Sequence, residues 1–283
     1  MALLAWAVRP DSALQRSPRI TRVTAVCLAI LAADTLLLLV QRSHVLSGLP
    51  YGQLWPVLPD VLHQTHFGRV WLVRGAAVVA AAALWPALGR MPVRGRAAVT
   101  LALLIVVAFT RSATGHSADQ GDWTVPEAAD WLHVLSGIVW AGAVTAAAWL
   151  WRSPSVPGGS EFARMAQGLS QLATAGLAGV AITGSYIAWL RLDSLDALWT
   201  TAYGRHLGWK LALVGLMAAL GAANRFLHLR RLTSDAAAAA ASSFRRNLYL
   251  EAVVAVAVFI AAAILINTQP PHAGMPAMGG MAM

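Results

Sequence analysis

Long apolar runs, separated by short polar or proline- and glycine-rich breaks, divide the chain. A helix needs about 20 mostly apolar residues to cross the hydrocarbon core of a bilayer. By this criterion the pattern predicts seven spanning helices, near residues 20–41, 68–88, 97–115, 128–150, 165–190, 206–227 and 247–267. The third and sixth spans require Arg111 and Lys210 to extend outward from the helix ends. The predicted fold is therefore an all-α, polytopic transmembrane helix bundle.

These spans divide the chain into three segments. Residues 1–19 form an N-terminal segment, residues 20–267 the transmembrane bundle, and residues 268–283 a flexible tail that is rich in methionine. The alanine run at 235–243 is predicted to be a loop, and no period in the chain indicates internal repeats. The first arginines follow a very short apolar piece, which is the reverse of a secretory signal, so we expect no cleaved leader.

Composition agrees with a lipid environment. Hydrophobic residues make up 58% of the chain and mean hydropathy is +0.61. Charged residues make up 12%, whereas a soluble domain has about 25%. A net charge of +9 would favour nucleic acid in a soluble protein, but here the cations are spread over the breaks between spans, so we expect lipid and no nucleic acid as a partner. The one cysteine, Cys27, excludes an intramolecular disulfide and disfavours a thiolate metal site.

The placement of arginines predicts the orientation of the bundle. If the N-terminus is cytoplasmic, the inner segments hold fourteen of the 21 basic residues and the outer segments hold five. Acidic residues show the opposite bias, with seven outside and three inside. Positive charge accumulates on the cytoplasmic side of membrane proteins. The pattern therefore predicts a cytoplasmic N-terminal segment and a C-terminal tail on the outer face.

Seven of the eight histidines fall on the predicted outer face. They are His44, His63, His66, His116, His133, His206 and His272, while His228 lies inside. The tail ends on the same face and contains Met275, Met278, Met281 and Met283. Thioether sulfur suits Cu(I), and imidazole suits copper and zinc. We interpret the tail as a segment that collects metal, and the alternative is an ordinary flexible terminus.

Residues 109–144, FTRSATGHSADQGDWTVPEAADWLHVLSGIVWAGAV, contain the densest set of chemically capable side chains. His116 follows the third span and His133 lies about one turn inside the fourth, so their imidazoles are predicted to converge at the outer surface. Trp140 lies in the middle of a span, although tryptophan favours the membrane interface. The sequence leaves open that His116 is a solvated loop residue and that Trp140 packs the core.

Two histidines precede the second span, three residues apart. On a helix, His63 and His66 would share one face and could chelate a metal ion. An isolated HxxH pattern is weak, and two histidines at a wet interface are the simpler interpretation.

Two groups of polar or charged side chains are predicted at membrane depth, where such residues are functional hypotheses by default. Asp34 and Arg74 lie at similar depth in the first and second spans. Glu251 opens the seventh span, level with Asn224 and Arg225 at the end of the sixth. We interpret both sets as structural ion pairs, with a transport relay as the alternative.

An ordered series of motifs resembles the copper-resistance D (CopD) family. In that family a GH follows one span, an LH and a W-G mark the next, and a TG, a YG…K, an N-R and a helix-opening Glu follow. This sequence contains GHSADQGDW, DWLHVLSGIVWAGAV, ITGSYIAWL, TAYGRHLGWKLALVGLMAALGAANRF and RRNLYLEAVVAVAV. The match covers roughly residues 100–267, and THFGRVWLVR extends it weakly to the second span.

The resemblance assigns family positions to individual residues. The GH and LH histidines are His116 and His133, and Trp140 fills the W-G position. The remaining matches are Tyr203, Gly204 and Lys210 for YG…K, Asn224 and Arg225 for N-R, and Glu251 for the helix-opening Glu. Family members commonly have eight spans, whereas seven are predicted here.

The resemblance implies a multi-pass protein of the bacterial inner membrane that handles copper and is not an enzyme. Family members are thought to move copper across the membrane, often beside a periplasmic copper-binding protein called CopC. The sequence contains no CopC-like β-domain, so we expect any such partner to be a separate chain. No Walker A or DKTG motif is present, and we expect passive or ion-coupled transport.

We therefore expect copper, as Cu(I) rather than Cu(II), to be accepted at the periplasmic face and moved toward the cytoplasm. The tail, with His272, Met275, Met278 and Met281, would collect the ion, and His116 and His133 would bind it, with His66 or His206 as a third ligand. Structural or relay roles fall to Trp140, Tyr203, Lys210, Asn224, Arg225, Glu251, Asp34 and Arg74. Two alternatives remain open: a haem-binding electron-transfer protein with His116 and His133 as axial ligands, and an assembly factor that delivers copper without transporting it.

Overall fold

The computed structural model describes residues 18–88, 90–115, 123–151, 159–192, 194–232 and 237–268. Within these ranges the chain contains helices and no strand, which confirms the predicted all-α fold. The α-helices in them are α1 (Pro18–Ser47), α2 (Leu58–Gln64), α3 (His66–Leu88), α4 (Val93–Ser112), α5 (Val125–Leu150), α6 (Gly159–Arg191), α7 (Ala197–Thr200), α8 (Ala202–Ala223) and α9 (Ala237–Ile266). A π-helical turn at Asn224–His228 and a 3₁₀ turn at Leu229–Arg231 continue α8.

Each predicted span corresponds to one long helix. In the described part of the chain, α1, α3, α5, α6, α8 and α9 are long and apolar enough to cross a membrane. Helix α4 corresponds to the third predicted span, but its apolar part, Ala98–Ser112, is shorter. The orientation of the bundle stays a prediction.

Helix α9 begins well before the predicted seventh span. The alanine run was predicted to be a loop, and that prediction was wrong, because the chain is helical from Ala237 onward. Alanine has the most favourable helix propensity of all residues, so the run extends the helix. Glu251 was predicted to open this helix. It lies instead near the middle of α9.

Two compact units divide the chain, Met1–Leu135 and Ser136–Met283. The first contains α1 to α4 and the start of α5, and the second contains the rest of α5 and α6 to α9. In the first unit Leu39, Val61 and Phe67 form a hydrophobic cluster where α1, α2 and α3 meet. In the second unit Tyr203, Leu207 and Leu265 form a cluster between α8 and α9.

One corner is built twice, once in each unit. The short helices α2 and α7 end at Thr65 and Thr201, whose backbones are extended (φ −101°, ψ 151° and φ −100°, ψ 154°). Each threonine hydroxyl donates to the carbonyl oxygen four residues back at 2.6 Å. Each also accepts from the N–H of a glycine three residues on, at 2.9 Å, which caps the next long helix.

These corners share a short sequence, T-x-[FY]-G-R, at residues 65–69 and 201–205. A Cβ atom on Gly68 or Gly204 would overlap the backbone of the preceding short helix, so only glycine permits the contact. A cation follows each threonine after nine residues, Arg74 in one unit and Lys210 in the other. The prediction of no internal repeats was wrong for this local unit, which is too short to show as a period.

Candidate functional site

Three helix ends meet at one end of the first unit. His66, the first residue of α3, places Nε2 at 3.1 Å from the carbonyl oxygen of Ala113, just after α4. Ser112 Oγ, at the end of α4, donates to the carbonyl oxygen of Glu127 in the first turn of α5 at 3.0 Å. These contacts fix the two helix ends from which the segment containing His116 departs.

Glu127 closes the start of α5 with a variant of the capping box. The Glu127 backbone N–H donates to Thr124 Oγ1 at 3.3 Å, and Glu127 Oε2 accepts from the Trp123 backbone N–H at 2.6 Å. Thr124 thus satisfies one N–H group of the first turn, as in a capping box, while the carboxylate binds the N–H one residue before Thr124. Glu127 is buried. The sequence analysis missed this residue, although the spacing in TVPE is the signature of such a box.

Aromatic side chains pack the C-terminal part of α4 against the N-terminal part of α5. The Phe109 ring stacks on Trp123 at 5.3 Å between centroids and meets the edge of Trp131 at 6.0 Å. Trp131 Nε1 donates to the carbonyl oxygen of Ile105 at 3.2 Å. The two helices are therefore antiparallel neighbours over this stretch.

His133 is half-buried on α5 and lies deeper than predicted. The helix begins at Val125, so His133 is about two turns inside it rather than one. It follows Glu127 by six residues, which corresponds to about 9 Å along the axis.

Five of the predicted copper ligands lie outside the described residues, namely His116, His272, Met275, Met278 and Met281. Among the described residues, no three His, Cys, Asp or Glu side chains are gathered as they would be around a metal ion. The shared site of His116 and His133 therefore stays a prediction.

The helical pairing of His63 with His66 does not occur. His63 lies at the end of α2 and His66 begins α3, with the extended backbone of Thr65 between them. Because the helix is interrupted, the spacing of three residues does not place the two rings on one face.

His206 lies in the second unit, on α8. Its Nδ1 shares a hydrogen bond of 3.0 Å with Thr268 Oγ1, at the C-terminal end of α9. Thr268 is the first residue of the tail and the last residue that the structure describes. Tyr203, one turn earlier on α8, is buried in the apolar cluster, and Lys210, one turn later, is half-buried.

Arg74 and Asp34 form the predicted ion pair. The guanidinium of Arg74 is buried on α3, and its Nη2 donates to the Asp34 carboxylate on α1. Nε of Arg74 donates to Thr35 Oγ1 at 3.3 Å. Trp71 Nε1, one turn earlier on α3, donates to the Thr35 carbonyl oxygen at 2.7 Å. Whether this pair takes part in transport stays a hypothesis.

A cavity of about 400 Å³ lies among α5, α6, α8, α9 and the π-helical turn in the second unit. Its apolar walls include Trp140, Met217 and Leu248. Polar groups from three elements line one part of it: Ser170, Thr174, Asn224, Arg225 and Glu251. π-Helical turns occur frequently at functional sites, and this one supplies Asn224 and Arg225.

Glu251 accepts from Asn224 and not from Arg225, so the predicted ion pair was wrong. Asn224 Nδ2 donates to Glu251 Oε1 at 2.6 Å, and both residues are 4% exposed. Arg225 Nη1 donates instead to Ser170 Oγ at 3.2 Å and Thr174 Oγ1 at 3.0 Å on α6. Consecutive helical residues point about 100° apart; only one of the two can face α9.

Trp140 is packed between helices and does not lie at the surface, as a tryptophan at the membrane–water interface would. It is buried on α5, and a Cβ atom on Gly176 of α6 would lie 2.8 Å from its Cβ atom. This close approach permits the indole to form one wall of the cavity. Nothing in the sequence pattern indicated Ser170, Thr174 and Met217, because a hydroxyl or a thioether within an apolar run carries no signal of its own.

Comparison with known proteins agrees with the motif series. The chain matches two families, described as "Copper resistance protein D" over residues 163–265 and "Copper resistance protein D-like, N-terminal domain" over residues 1–126. The second match extends the likeness to a region where the motifs indicated it only weakly.

Two curated relatives are similar over most of this chain. It is 32% identical over 246 residues to "Copper resistance protein D" of Pseudomonas syringae pv. tomato, which covers 82% of this chain and 76% of that protein. It is 26% identical over 267 residues to "Copper transport protein CutJ" of Bacillus subtilis, which covers 91% of this chain and 47% of that protein. The chain thus spans about half the length of CutJ. No solved structure matches.

The family matches and the 32% identity together identify the chain. The motifs ITGSYIAWL, TAYGRHLGWK and RRNLYLEAVV all lie within residues 163–265, the range that matches "Copper resistance protein D". The chain belongs to the copper resistance protein D family, whose relatives are named for copper resistance and copper transport.

Proposed function

We propose that this protein accepts copper at the outer, periplasmic face of a bacterial inner membrane and moves it toward the cytoplasm. The metal is bound by His116 and His133, with His66 as a third ligand beside His116. The contact of His66 with Ala113 is the observation that supports this proposal most strongly.

That contact is compatible with the proposed ligand role of His66. A carbonyl oxygen only accepts, so Nε2 of His66 carries the proton and donates to Ala113. Metal-binding histidines almost always donate their other ring N–H to a carbonyl, a carboxylate or water, which fixes the ring. Only two residues separate Ala113 from His116 along the chain. His66 is therefore held beside the segment that leads to His116.

His133 provides the next step into the bundle. It lies on α5 about 9 Å along the axis from Glu127, which is level with the end of α4. Copper bound near His116 would pass to this half-buried ring. Several weak sites in series permit both capture and release of an ion.

The tail collects copper before it reaches the bundle. Its methionines and His272 offer soft and imidazole donors for Cu(I). His206 contacts Thr268, where the tail begins. A separate CopC-like protein is a further source of copper.

X-ray absorption of the purified protein loaded with Cu(I) tests this proposal. We expect scattering from both imidazole and sulfur in the full chain. Removal of residues 272–283 should remove the sulfur contribution, and the His116→Ala, His133→Ala variant should remove most of the imidazole contribution. His63→Ala is the matched control, because His63 is an exposed histidine on the same predicted face.

Two results would contradict the proposal. One is an imidazole contribution that persists unchanged in the double variant. The other is a Soret absorption band in protein purified without copper, which would favour the haem-binding alternative.

A further inference from the structure

The cavity of the second unit contains a carboxylate, that of Glu251, which no cation of the described residues neutralises. Among the described residues that line it, Glu251 and Arg225 are the ionisable ones. The α6 hydroxyls of Ser170 and Thr174 hold the Arg225 guanidinium. Arg245, on the same helix as Glu251, lies over the Phe162 ring at 4.9 Å. The described lining residues from α5 and α6 bring no titratable group to Glu251.

The neighbours of Glu251 supply one neutral donor and one spare acceptor. Asn224 Nδ2 donates to Oε1, while Oε2 faces Gly221 of α8, where a Cβ atom would lie 3.6 Å away. Asn224 Oδ1 is buried and has no hydrogen-bond partner among the described residues. The Glu251–Asn224 pair therefore contains a buried acceptor, Asn224 Oδ1, without a donor, and a protonated Glu251 would add a donor to this pair.

Burial makes the ionised form of this carboxyl group costly. An ionised carboxylate removed from water without a charged partner loses several kcal/mol of hydration free energy. One hydrogen bond from an amide does not replace this lost hydration. Carboxyl groups inside membrane spans commonly take part in proton relays. The cavity, of about 400 Å³, is large enough to hold several water molecules beside Glu251.

We infer that Glu251 is a proton-binding site in this cavity and that copper movement through the protein is coupled to its protonation. The coupling rests on the proposed function, whereas the protonation of Glu251 does not. Glu251 takes up a proton from water in the cavity and returns it to water during the transport cycle. The proton gradient across the membrane then provides the ion coupling that the sequence analysis leaves open.

Infrared spectroscopy of the copper-free protein tests the protonation directly. As pH is lowered, the wild type should gain the carbonyl stretching band of a protonated carboxyl group. Glu251→Gln should lack that component, and Glu161→Gln should retain it, because Glu161 is a glutamate of the same unit outside the cavity. A pH-difference band of wild-type intensity in Glu251→Gln would overturn the inference.

Proteoliposomes with a pH-sensitive dye inside test the coupling. Addition of Cu(I) outside should change the internal pH of wild-type vesicles as copper enters. The copper-dependent pH change should be lost in Glu251→Gln and kept in Glu251→Asp and Glu161→Gln. Size-exclusion profiles and outer-site copper binding should match the wild type in all three variants.

The two proposals fail separately. Copper uptake by the wild type without any pH change overturns the coupling and leaves the proposed function intact. No copper uptake by the wild type overturns the proposed function, while the infrared band still decides whether Glu251 binds a proton.

Discussion

Arg74 shows how a single cation is accommodated at membrane depth. Its side chain is only 6% exposed, and it donates to the Asp34 carboxylate and to the hydroxyl of Thr35 on α1. An unpaired buried guanidinium would be far more costly than this charge-assisted pair. The pair therefore fixes the register of α1 against α3.

Asp34→Asn should destabilise the protein, because it leaves the Arg74 charge without its partner. We expect a loss of about 3 kcal/mol, the lower end of the range for a broken buried pair, because the Asp34 side chain is itself 62% exposed. Unfolding in detergent measures the change. Asp60→Asn is the control, because Asp60 is an exposed residue on α2. Adding Arg74→Met to Asp34→Asn should recover most of the lost stability, because the unpaired charge is then removed. Equal stability of the two single variants would contradict this account.

The two predicted ion pairs show what hydropathy determines. Hydropathy predicts how deep in the membrane a residue lies. For Asp34 and Arg74 a common depth was enough to predict the ion pair, because their helices are neighbours. Glu251 and Arg225 also share a depth, yet Asn224 takes the contact. The direction of a side chain around its helix depends on the packing of α8 against α9, which the apolar pattern leaves undetermined because these helices are apolar on several sides.

At the scale of elements, the repeated corner controls how α3 and α8 begin. Each corner joins a short helix to a long one through a threonine cap and a glycine contact. The number and order of the long helices were predictable from the apolar runs, whereas some ends were not, since α9 begins at Ala237 and not near residue 247. The short helices α2 and α7 were not, because they contain too few residues to show a period.

Gly204→Ala should destabilise the second unit by about 1–3 kcal/mol, the range for overpacking at a tight contact. The added Cβ atom would overlap the carbonyl oxygen of Ala197. Gly208→Ala, one turn later, is the matched control, because a Cβ atom there meets nothing within 4 Å. Alanine is favoured over glycine in a helix by about 1 kcal/mol, so this control should be neutral or stabilising. Thermal unfolding of Gly204→Ala at the wild-type temperature would contradict the assigned role.

The same comparison applies to the first unit. Gly68→Ala should destabilise by a similar amount, whereas Gly75→Ala, with its nearest atoms 3.8 Å away on Trp71, should not. Parallel results in both units would establish that the two corners are equivalent.

At the scale of the whole molecule, composition and arginine placement predicted a membrane bundle with an outer face rich in histidine. The described helices confirm the bundle, with six of spanning length and one shorter. The cavity at Glu251 was not predictable, since it arises from side chains of five elements that no linear pattern connects. The predicted outer ligands depend on His116 and the tail, which lie outside the described residues.

Copper accumulation in cells tests the central claim most directly. A strain that lacks its own copy of the protein should accumulate copper when it expresses the wild type or His63→Ala. The His116→Ala, His133→Ala variant, present in the membrane at the same level, should accumulate no more copper than cells without the protein. Wild-type accumulation by that double variant would show that copper does not pass through these two histidines, and would contradict the account.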